Sequence, residues 1–307
     1  MKIIRGLDAI GADDRGASIA IGNFDGVHRG HQAILDLSRR ADAPLAVMTF
    51  EPHPRELFAP DAPPFRLMGL DARATRLAKF GVEKLYLVPF DRAFSAITAE
   101  SFCADVLADQ MGAKQVVVGS DFRFGAKRAG DVAFLQDAGR RLGFDVVIAD
   151  LVAQAGDEVS STAIRSALSD GRVDDANRML GHLHQIEGVV EQGDQRGRDL
   201  GYPTANLSMD GLLLPRFGVY GVRISVKDGP HAGEYDGVSS LGVRPTFGVN
   251  KPNFETHIFD FKGDIYGARV SVGLVGYLRS EEKFDDLKAL IDQMDLDSVN
   301  ARALLSK

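Results

Sequence analysis

The sequence offers almost no cysteine chemistry. Cys103 is the single cysteine among 307 residues, which excludes an intrachain disulfide. Without a C-x-x-C pair, the chain also lacks the usual starting point for a cysteine zinc site or a thiol redox site. This composition fits a reducing compartment, and we expect a cytoplasmic protein.

Long apolar runs and an excess of basic charge are also missing. The first residues, MKIIRGLDAIGADDRG, contain no apolar stretch of signal-peptide length, and no later run approaches a transmembrane helix. The chain carries 36 basic and 43 acidic residues, a formal charge of −7, which opposes a dedicated nucleic-acid or anionic-membrane binder. We therefore expect a soluble protein with no nucleic-acid or membrane partner, and for its assembly we expect a monomer or weak homo-oligomer.

Several common nucleotide and metal signatures are absent. The chain has neither G-x-x-x-x-G-K-[ST] nor G-x-G-x-x-G, so a P-loop or a dinucleotide fingerprint cannot be the basis of a functional prediction. It also lacks H-E-x-x-H. No internal repeat or low-complexity tract is present, and the function must be sought in other motifs.

Length and composition predict two domains. A chain of 307 residues with 45% hydrophobic residues can bury a core in each. In the first half, short runs rich in Val and Ile alternate with segments whose apolar residues lie three or four apart. Such repeated β-α units form a mainly parallel sheet, an α/β, Rossmann-like architecture. The predicted strands are 18–21, 45–50, 85–89, 115–118 and 145–149, and the predicted helices are 31–40, 71–80, 99–111 and 132–142.

The pattern changes after about residue 182, where strand-like alternation broken by turn dipeptides replaces the helices. The run 218–227 is followed by Asp228-Gly229, and the runs 254–261 and 265–277 flank Lys-Gly-Asp. These are typical of β-hairpins, so the second half is predicted to be a small antiparallel barrel. We place the domain boundary after residue 183, giving domains 1–183 and 184–307.

A terminal helix is predicted to complete the barrel domain. Ser280 is a suitable N-cap, and Glu281 and Glu282 would complement the positive end of the helix dipole. An apolar stripe then predicts packing of one helix face against the core. Its members are Phe284, Leu287, Leu290, Ile291 and Met294.

The segment IAIGNFDGVHRGH predicts a phosphate site. A strand ends at Gly22, glycines follow at Gly26 and Gly30, and a helix begins near His31. Glycines let backbone amides approach an anion, and a helix N-terminus adds unpaired N–H donors. His28 and His31 lie three residues apart, so a formed first turn directs both imidazoles to one side, where they can bind phosphates during nucleotidyl transfer.

The residues alone leave two other interpretations of these histidines open. Histidines near a helix start are often surface or capping residues, and for an isolated H-x-x-H that interpretation is the safer one. The surrounding glycines and the preceding strand favour the phosphate site. A metal pair is the other alternative, but no H-E-x-x-H motif or cysteine cluster is present to complete it.

GNFDGVHRGH resembles the H-x-G-H signature of the nucleotidyltransferase superfamily, in the form carried by bacterial bifunctional riboflavin kinase/FAD synthetases. Three later segments are similar to the same family, FEPHP at 50–54, GSDFRFGAKRAGD at 119–131 and SSTAIR at 160–165. The resemblance implies an FMN adenylyltransferase that uses ATP, with His28 and His31 as catalytic residues. The implied nucleotide-binding residues of the glycine turn are Gly22, Asn23, Phe24, Asp25 and Gly30.

The later segments also have physical interpretations of their own. In SSTAIR, hydroxyls and a guanidinium before an apolar helix suit triphosphate oxygens, with a helix cap and a solvated arginine as the alternative. FEPHP and GSDFRFG offer flat rings and an acceptor for a flavin, with core packing and loop rigidity as the alternatives. The resemblance implies nucleotide binding by Ser161, Thr162 and Arg165, and flavin binding by Phe50, His53, Asp121, Phe122 and Phe124.

A second set of candidate residues follows in IEGVVEQGDQRGRDLGYPTANL. Gly193 and Gly197 belong to a glycine-rich loop, and Thr204 and Asn206 enter a strand after Pro203. A threonine hydroxyl and an asparagine carbonyl are hard oxygen ligands, which suit Mg²⁺ held together with ATP phosphates. A strand that starts at a proline, with a local hydroxyl turn, is the alternative.

This run resembles the riboflavin kinase domain, whose PTAN motif is implicated in binding Mg-ATP. The similarity continues through GVYGVRI, LGVRPTFG, FETHIFDF and YLRSEEKF, and it implies that Glu255 is the general base toward the ribityl hydroxyl. It implies nucleotide binding by Gly193, Gly197, Thr204 and Asn206, with Thr204 and Asn206 as Mg²⁺ ligands. Two departures from the family pattern are GHLHQ at 181–185 and Val243.

The resemblance covers nearly the whole chain and implies FAD biosynthesis in two ATP-dependent steps, from riboflavin to FMN and from FMN to FAD. One alternative keeps the fold but adenylylates a different phosphorylated acceptor, which the kinase-like barrel opposes. Another is a flavin-binding regulator with silent sites. That alternative is opposed by the joint presence of all the implied catalytic and phosphate-binding groups.

Overall fold

The computed structural model describes residues 1–150, 153–154, 157–192, 201–243 and 252–307, with the backbone alone at 153–154 and 157–158. The chain forms two compact units. Unit 1 comprises Met1–Pro63 and Leu70–Val159, and unit 2 comprises Pro64–Gly69 and Ser160–Lys307. The functional boundary placed after residue 183 stays a prediction. In the described part of the chain, no helix has the length and apolar character needed to cross a membrane.

Unit 1 is built on a six-stranded parallel sheet. Its strands are β1 (Lys2–Arg5), β2 (Ser18–Ile21), β3 (Leu45–Glu51), β4 (Lys84–Pro89), β5 (Gln115–Gly119) and β6 (Asp145–Ala149). They lie in the order β1-β4-β3-β2-β5-β6, and every pairing is parallel. All four residues of β2 are buried, as expected for a strand covered on both faces. The predicted α/β architecture is confirmed.

The strand order reverses between β2 and β5, because the chain runs outward from β2 through β3 to β4 and returns to place β5 on the other side of β2. In an open parallel sheet, ligands bind outside the carboxyl ends of the strands at such a switch point. The glycine turn follows β2, and GSDFRFG follows β5. The topology therefore brings two of the sequence motifs to the same crevice of unit 1.

The helices of unit 1 differ in places from the predicted ones. The region 99–111 is a single turn of α-helix that continues as a π-helix, Phe102–Gln110, which ends where the Met111 N–H bonds to the Val106 carbonyl five residues earlier. The helix predicted at 31–40 begins at Arg29, because His28 caps it, and ends at Leu37. The α-helices are α1 (Arg29–Leu37), α2 (Pro54–Phe58), α3 (Leu70–Lys79), α4 (Arg92–Ser95), α5 (Ala99–Ser101) and α6 (Val132–Leu142). Short 3-10 helices lie at Leu7–Ala9, Ala12–Asp14 and Ala126–Arg128, and two short paired strands are β7 (Ala153–Gln154) and β8 (Asp157–Glu158).

Unit 2 contains a six-stranded antiparallel barrel. Its strands are β9 (His184–Val189), β10 (Ala205–Ser208), β11 (Gly218–Val226), β12 (Gly233–Val243), β13 (Pro252–Ile258) and β14 (Arg269–Arg279). They lie in the order β10-β13-β12-β11-β14-β9, and a bridge between Glu191 and Asn206 joins the two ends. The barrel is therefore nearly closed, as predicted, around a core that includes the buried rings of Tyr220 and Phe254.

Two helices precede the barrel and pack within unit 2. They are α7 (Ser161–Ser169) and α8 (Val173–Leu180). Their apolar faces form one cluster with Leu67, from the short segment Pro64–Gly69, and with the partly buried Leu213. The Asn177 side chain then joins α8 to the barrel, since it donates to the Leu274 carbonyl at 2.9 Å and accepts from the His184 N–H at 2.7 Å.

The terminal helix α9 (Leu287–Leu305) is present, but its start and its buried face were predicted wrongly. Asp286, not Ser280, is the N-cap and accepts from the Ala289 N–H at 2.8 Å. Glu281 and Glu282 precede the helix, and Leu287 of the predicted stripe is 56% exposed. The buried residues lie in the second half of the helix, which the barrel covers. They are Asp297, Ala301 and Leu305.

Candidate functional site

The glycine turn after β2 is conformationally strained. Phe24 and Val27 have positive φ angles of 52° and 42°, although both side chains are fully buried. A positive φ is especially unfavourable for a β-branched residue such as Val27, and it persists only where the surrounding structure fixes it. Gly26 has a φ of 86°, which glycine adopts without the steric cost that a side chain would bring. Strain of this kind concentrates at functional sites.

The structure brings His28 and His31 together at the start of α1. His28 is the N-cap, and its Nδ1 accepts from the His31 N–H at 3.3 Å. The two rings stack with centroids 3.6 Å apart, and a Cβ at Gly30 would lie 3.1 Å from the His28 ring. The capping interpretation of His28 is therefore correct, and it supports the phosphate interpretation because it places the imidazole pair at a helix N-terminus.

A buried arginine that the sequence motifs did not include holds this turn. Arg73 of α3 is 2% exposed, and its guanidinium donates to the Asn23 carbonyl and to Glu51, both at 2.9 Å. Thr49 donates to the same Asn23 carbonyl at 3.1 Å. Arg73 therefore joins the loop after β2 to the end of β3. The sequence held one signal for Arg73, because it is the single basic residue at the buried positions of a predicted helix.

Aromatic rings surround the carboxyl ends of the neighbouring strands. Phe122 and Phe124 stack with centroids 5.4 Å apart after β5, and Phe50 of β3 meets Phe90 edge to face at 5.6 Å. Phe90 also meets Phe58, at 6.1 Å, and the Phe58 ring is 71% exposed. Phe58 and Phe90 were not predicted as site residues. The cluster offers flat apolar surface to an aromatic ring system.

The two polar residues predicted for flavin binding have different surroundings. His53 caps α2, where its Nδ1 accepts from the Arg55 N–H at 3.0 Å and its own N–H donates to Glu56 at 3.0 Å. Asp121 is exposed directly after β5. The loop-rigidity interpretation therefore describes the capping contacts of His53, whereas Asp121 presents a carboxylate at the switch point of the sheet.

The SSTAIR segment lies in unit 2, where it begins α7. Ser160 is the N-cap and accepts from the Ala163 N–H at 3.2 Å, and Ser161 and Thr162 occupy the first turn. Arg165 is half-buried, with its Nε donating to the Phe65 carbonyl at 2.8 Å and its guanidinium 5.2 Å from the Phe65 ring centre. Its guanidinium is thus oriented by contacts within the protein, unlike a solvated arginine.

The second candidate site is formed by β10 and β13. The register places Asn206 directly opposite Glu255, and the Thr204 hydroxyl donates to Glu255 Oε2 at 3.3 Å. Asn253, which the motifs did not include, donates to Glu255 Oε1 at 2.7 Å and to Asn206 Oδ1 at 3.2 Å. The structure therefore unites three predicted residues in one network. Gly193 and Gly197 lie outside the described residues.

A cavity of about 60 Å³ adjoins Thr204 and Asn206. Thr256 contributes a hydroxyl to its lining, and Ile258, Phe261 and Ile265 are among its apolar residues. The cavity is therefore lined by both hydroxyl and apolar groups next to Thr204 and Asn206. The hydroxyl, carboxamide and carboxylate oxygens beside it are all hard donors, so these residues fit a Mg²⁺ ion bound together with phosphates.

The segment before Thr204 is fixed by His257 and by α9. The Pro203 carbonyl can only accept, so the His257 ring donates to it from Nδ1 at 2.9 Å. Burial lowers the pKa of His257. Its ring lies 4.9 Å from that of Tyr202, whose hydroxyl donates to Asp295 of α9. Burial and this contact raise the pKa of Tyr202. The terminal helix therefore helps to position Thr204 and the start of β10, which carries Asn206.

Comparison with known proteins covers both halves of the chain. The family model for FAD synthetase matches residues 10–163, and the model for riboflavin kinase matches residues 180–305. The bifunctional riboflavin kinase/FMN adenylyltransferase of Escherichia coli (strain K12) is 41% identical over 307 residues, which are 98% of this chain and 97% of that protein. The protein of the same description from Pseudomonas fluorescens is 41% identical over 309 residues, 99% of this chain and 98% of its own. A crystal structure from Streptococcus pneumoniae, described as a macrolide-efflux protein, has a TM-score of 0.84 at 33% identity and covers 97% of each chain.

Proposed function

The chain belongs to the family of bifunctional riboflavin kinase/FMN adenylyltransferases, and from that membership we propose how its residues divide the two reactions. It is an enzyme of FAD biosynthesis that converts riboflavin to FMN and FMN to FAD, with ATP as co-substrate, and the observation that carries this conclusion is the match of both family models to one chain. We assign adenylylation to residues 1–183 and phosphorylation to residues 184–307.

In the kinase reaction, Glu255 is the general base. Its carboxylate accepts the proton of the ribityl terminal hydroxyl as that oxygen bonds to the γ-phosphorus of ATP, and the bond to the departing ADP oxygen breaks. Thr204 and Asn206 bind the nucleotide phosphates. Gly193 and Gly197 contribute to the same nucleotide site by resemblance. Mg²⁺, when bound through Thr204 and Asn206, supplies neutralisation of phosphate charge.

In the adenylylation reaction, a phosphate oxygen of FMN bonds to the α-phosphorus of ATP, and pyrophosphate leaves. His28, His31 and the N-terminus of α1 stabilise the charge on the transferring phosphates, and no covalent nucleophile is needed. The strained turn supports this role because it holds the imidazole pair in place. The other nucleotide-binding residues in the proposal are Gly22, Asn23, Phe24, Asp25, Gly30, Ser161, Thr162 and Arg165.

The flavin ring of FMN is proposed to bind at the aromatic cluster of unit 1. Stacked and edge-on rings beside a crevice give an isoalloxazine both apolar contact and favourable ring geometry. Asp121 offers an acceptor to the flavin N–H or to a hydroxyl of the ribityl chain. The proposed flavin-binding residues are Phe50, His53, Asp121, Phe122 and Phe124.

We propose that the enzyme works in the cytoplasm as a monomer or weak homo-oligomer. The single cysteine, which is buried in unit 1, fits a reducing compartment. Light scattering across a range of protein concentrations tests the oligomeric state, and a constant dimeric or larger mass at the lowest concentration would contradict it.

The direct test is a chromatographic product assay. Purified protein is incubated with riboflavin, ATP and MgCl₂, and a second reaction starts from FMN. We expect riboflavin to pass through FMN to FAD, and added FMN to give FAD. FAD from FMN alone would show a silent barrel, and FMN without FAD would show a silent histidine site. No product from either flavin would favour a flavin-binding regulator or a different acceptor.

A further inference from the structure

We propose that Asn253 is a positioning residue of the kinase reaction, which fixes the base Glu255 and the phosphate-binding Asn206 with one carboxamide. The inference deepens the proposed function and rests on the role given there to Glu255. Asn253 stands outside the E-x-H-x-F-D-F motif, and nothing in the sequence patterns singled it out. Its assignment comes from the geometry of β10 and β13 alone.

The strand register explains why one side chain reaches both partners. Asn253 and Glu255 are two residues apart on β13, so they project from the same face of the sheet. Across the antiparallel pair, Glu255 is opposite Asn206, and Asn253 is opposite Ser208. Asn206 is therefore the diagonal neighbour of Asn253, within reach of a side chain of its length.

The hydrogen-bond chemistry defines the orientation of each group. A carboxylate oxygen only accepts, so the Asn253 atom 2.7 Å from Glu255 Oε1 must be the amide nitrogen. That nitrogen has two protons, and the second is directed to Asn206 Oδ1 at 3.2 Å. The Asn206 carboxamide is thereby oriented with its oxygen toward Asn253 and its nitrogen 3.5 Å from the Thr204 carbonyl.

The two oxygens of the base are thus held from two directions. Asn253 donates to Oε1, and the Thr204 hydroxyl donates to Oε2 at 3.3 Å. A general base is effective only while it stays within hydrogen-bond reach of the proton that it accepts. Loss of the Asn253 bond removes one of these constraints, so the Glu255 carboxylate is aligned less well while the substrate site stays in place.

The experiment compares Asn253→Leu and Asn253→Asp with Asn300→Asp. Leucine has a similar volume but no donor. Aspartate keeps the shape but places a second carboxylate against Glu255. Asn300 is exposed on α9, so Asn300→Asp makes the same amide-to-carboxylate change away from the site. Each protein is assayed for kinase kcat and KM, the pH dependence of kcat, riboflavin binding by flavin fluorescence, and FMN adenylylation in the same preparation.

We expect Asn253→Leu to lower kinase kcat about tenfold to thirtyfold, with riboflavin binding and adenylylation unchanged. In Asn253→Asp, two adjacent carboxylates hold a proton more tightly, so the acid limb of the kcat profile should move up by about one pH unit. Asn300→Asp should match the wild type. Unchanged kcat in Asn253→Leu together with an unmoved pH limb in Asn253→Asp would overturn the proposal. So would a parallel loss of riboflavin binding, which a merely structural role predicts.

Glu255→Gln separates this inference from the proposed function on which it rests. If Glu255→Gln abolishes kinase activity while both Asn253 variants behave as wild type, the positioning role alone is wrong. If Glu255→Gln keeps full kinase activity, the assignment of the base is wrong, and the positioning role is wrong with it.

Discussion

Each unit is built on a six-stranded sheet, but the two units build their sites in different ways. In the large sheet of unit 1 the strands are parallel, and the glycine turn, His28 and His31 follow a strand, in a loop and at a helix N-terminus. In unit 2 the strands are antiparallel, and Asn206 and Glu255 lie within paired strands, directly opposite each other. A parallel sheet collects loop backbone at one edge, whereas an antiparallel register sets chosen side chains face to face.

The two sites are also held in different ways. In unit 1, the buried guanidinium of Arg73 fixes a strained turn through a carbonyl and a carboxylate. In unit 2, the amide of Asn253 and the hydroxyl of Thr204 donate to the Glu255 carboxylate. A phosphate site built from backbone needs conformational support, while a base on a strand needs orientation of its own side chain.

The largest effects should come from reciprocal variants of the two sites. His28→Ala or His31→Ala should lower adenylylation by about 10² to 10³ and leave kinase activity near the wild-type value. Glu255→Gln should lower kinase activity by about 10² to 10⁴ and spare adenylylation. Both activities are measured on the same preparation, so each serves as the folding control for the other. Equal losses of both activities in every variant would contradict the division of labour.

Arg73→Met should break the support of the turn. It removes a buried cation and leaves the Asn23 carbonyl and Glu51 without that donor, so we expect the free energy of unfolding of unit 1 to fall by about 3 kcal/mol. Adenylylation by this variant should fall by more than the loss of folded protein explains, because the imidazoles of His28 and His31 are displaced. Urea unfolding and both assays check this.

Arg73→Lys provides the matched comparison, since it keeps one charge but cannot bind both partners with a planar fork. It should be intermediate in stability and in adenylylation. Adenylylation in Arg73→Met at the wild-type rate per folded molecule would show that the turn holds its shape without Arg73.

Two carboxylates of the terminal helix, Asp292 and Asp297, should differ in how much they contribute to stability. Arg279 holds the buried Asp297 through two bonds, of 2.8 and 2.7 Å, which keeps the pKa of Arg279 raised. Asp297→Ala should lower the free energy of unfolding of unit 2 by about 2 kcal/mol. Asp292→Ala, which removes only an exposed pair with Lys288, should cost less than about 0.5 kcal/mol. Equal urea midpoints for the two variants would contradict this ranking.

A smaller effect should appear as a pH dependence confined to unit 2. Burial, with a minor contribution from His182, lowers the pKa of His184 from its ordinary value of 6.5 to about 4. The folded state therefore excludes a proton that the unfolded chain accepts, and stability falls as the pH drops below the unfolded pKa. Between about pH 6.5 and pH 5 the loss should be about 1.6 kcal/mol.

His184→Gln tests this attribution to one imidazole. Urea unfolding of unit 2, followed at several pH values, should show a flatter slope over this interval in the variant than in the wild type. Parallel slopes in the two proteins would assign the pH dependence to other groups.

Much of the fold could be predicted because its signals are local. Val- and Ile-rich runs and helical spacing identified β2, β6 and α6 to the residue, and strand alternation predicted the barrel. The edge strand β1 was missed, since Ile4 is its only buried residue. The π-helix at Phe102–Gln110 was missed because its apolar spacing also suits an α-helix. The choice of Asp286 over Ser280 as the cap of α9 depends on where the barrel covers that helix.

The same distinction, between local signals and contacts that need the tertiary structure, applies to the residues of the two sites. The glycine turn and the His28 and His31 pair are determined within a few residues of sequence, since a strand end, glycine φ angles and a helix start are local properties. The contacts of Arg73 with Asn23 and of Thr204 with Glu255 span 50 and 51 residues. Such contacts depend on strand order and register, which only the assembled sheets define, because a shift of one residue would send every side chain of a strand to the opposite face.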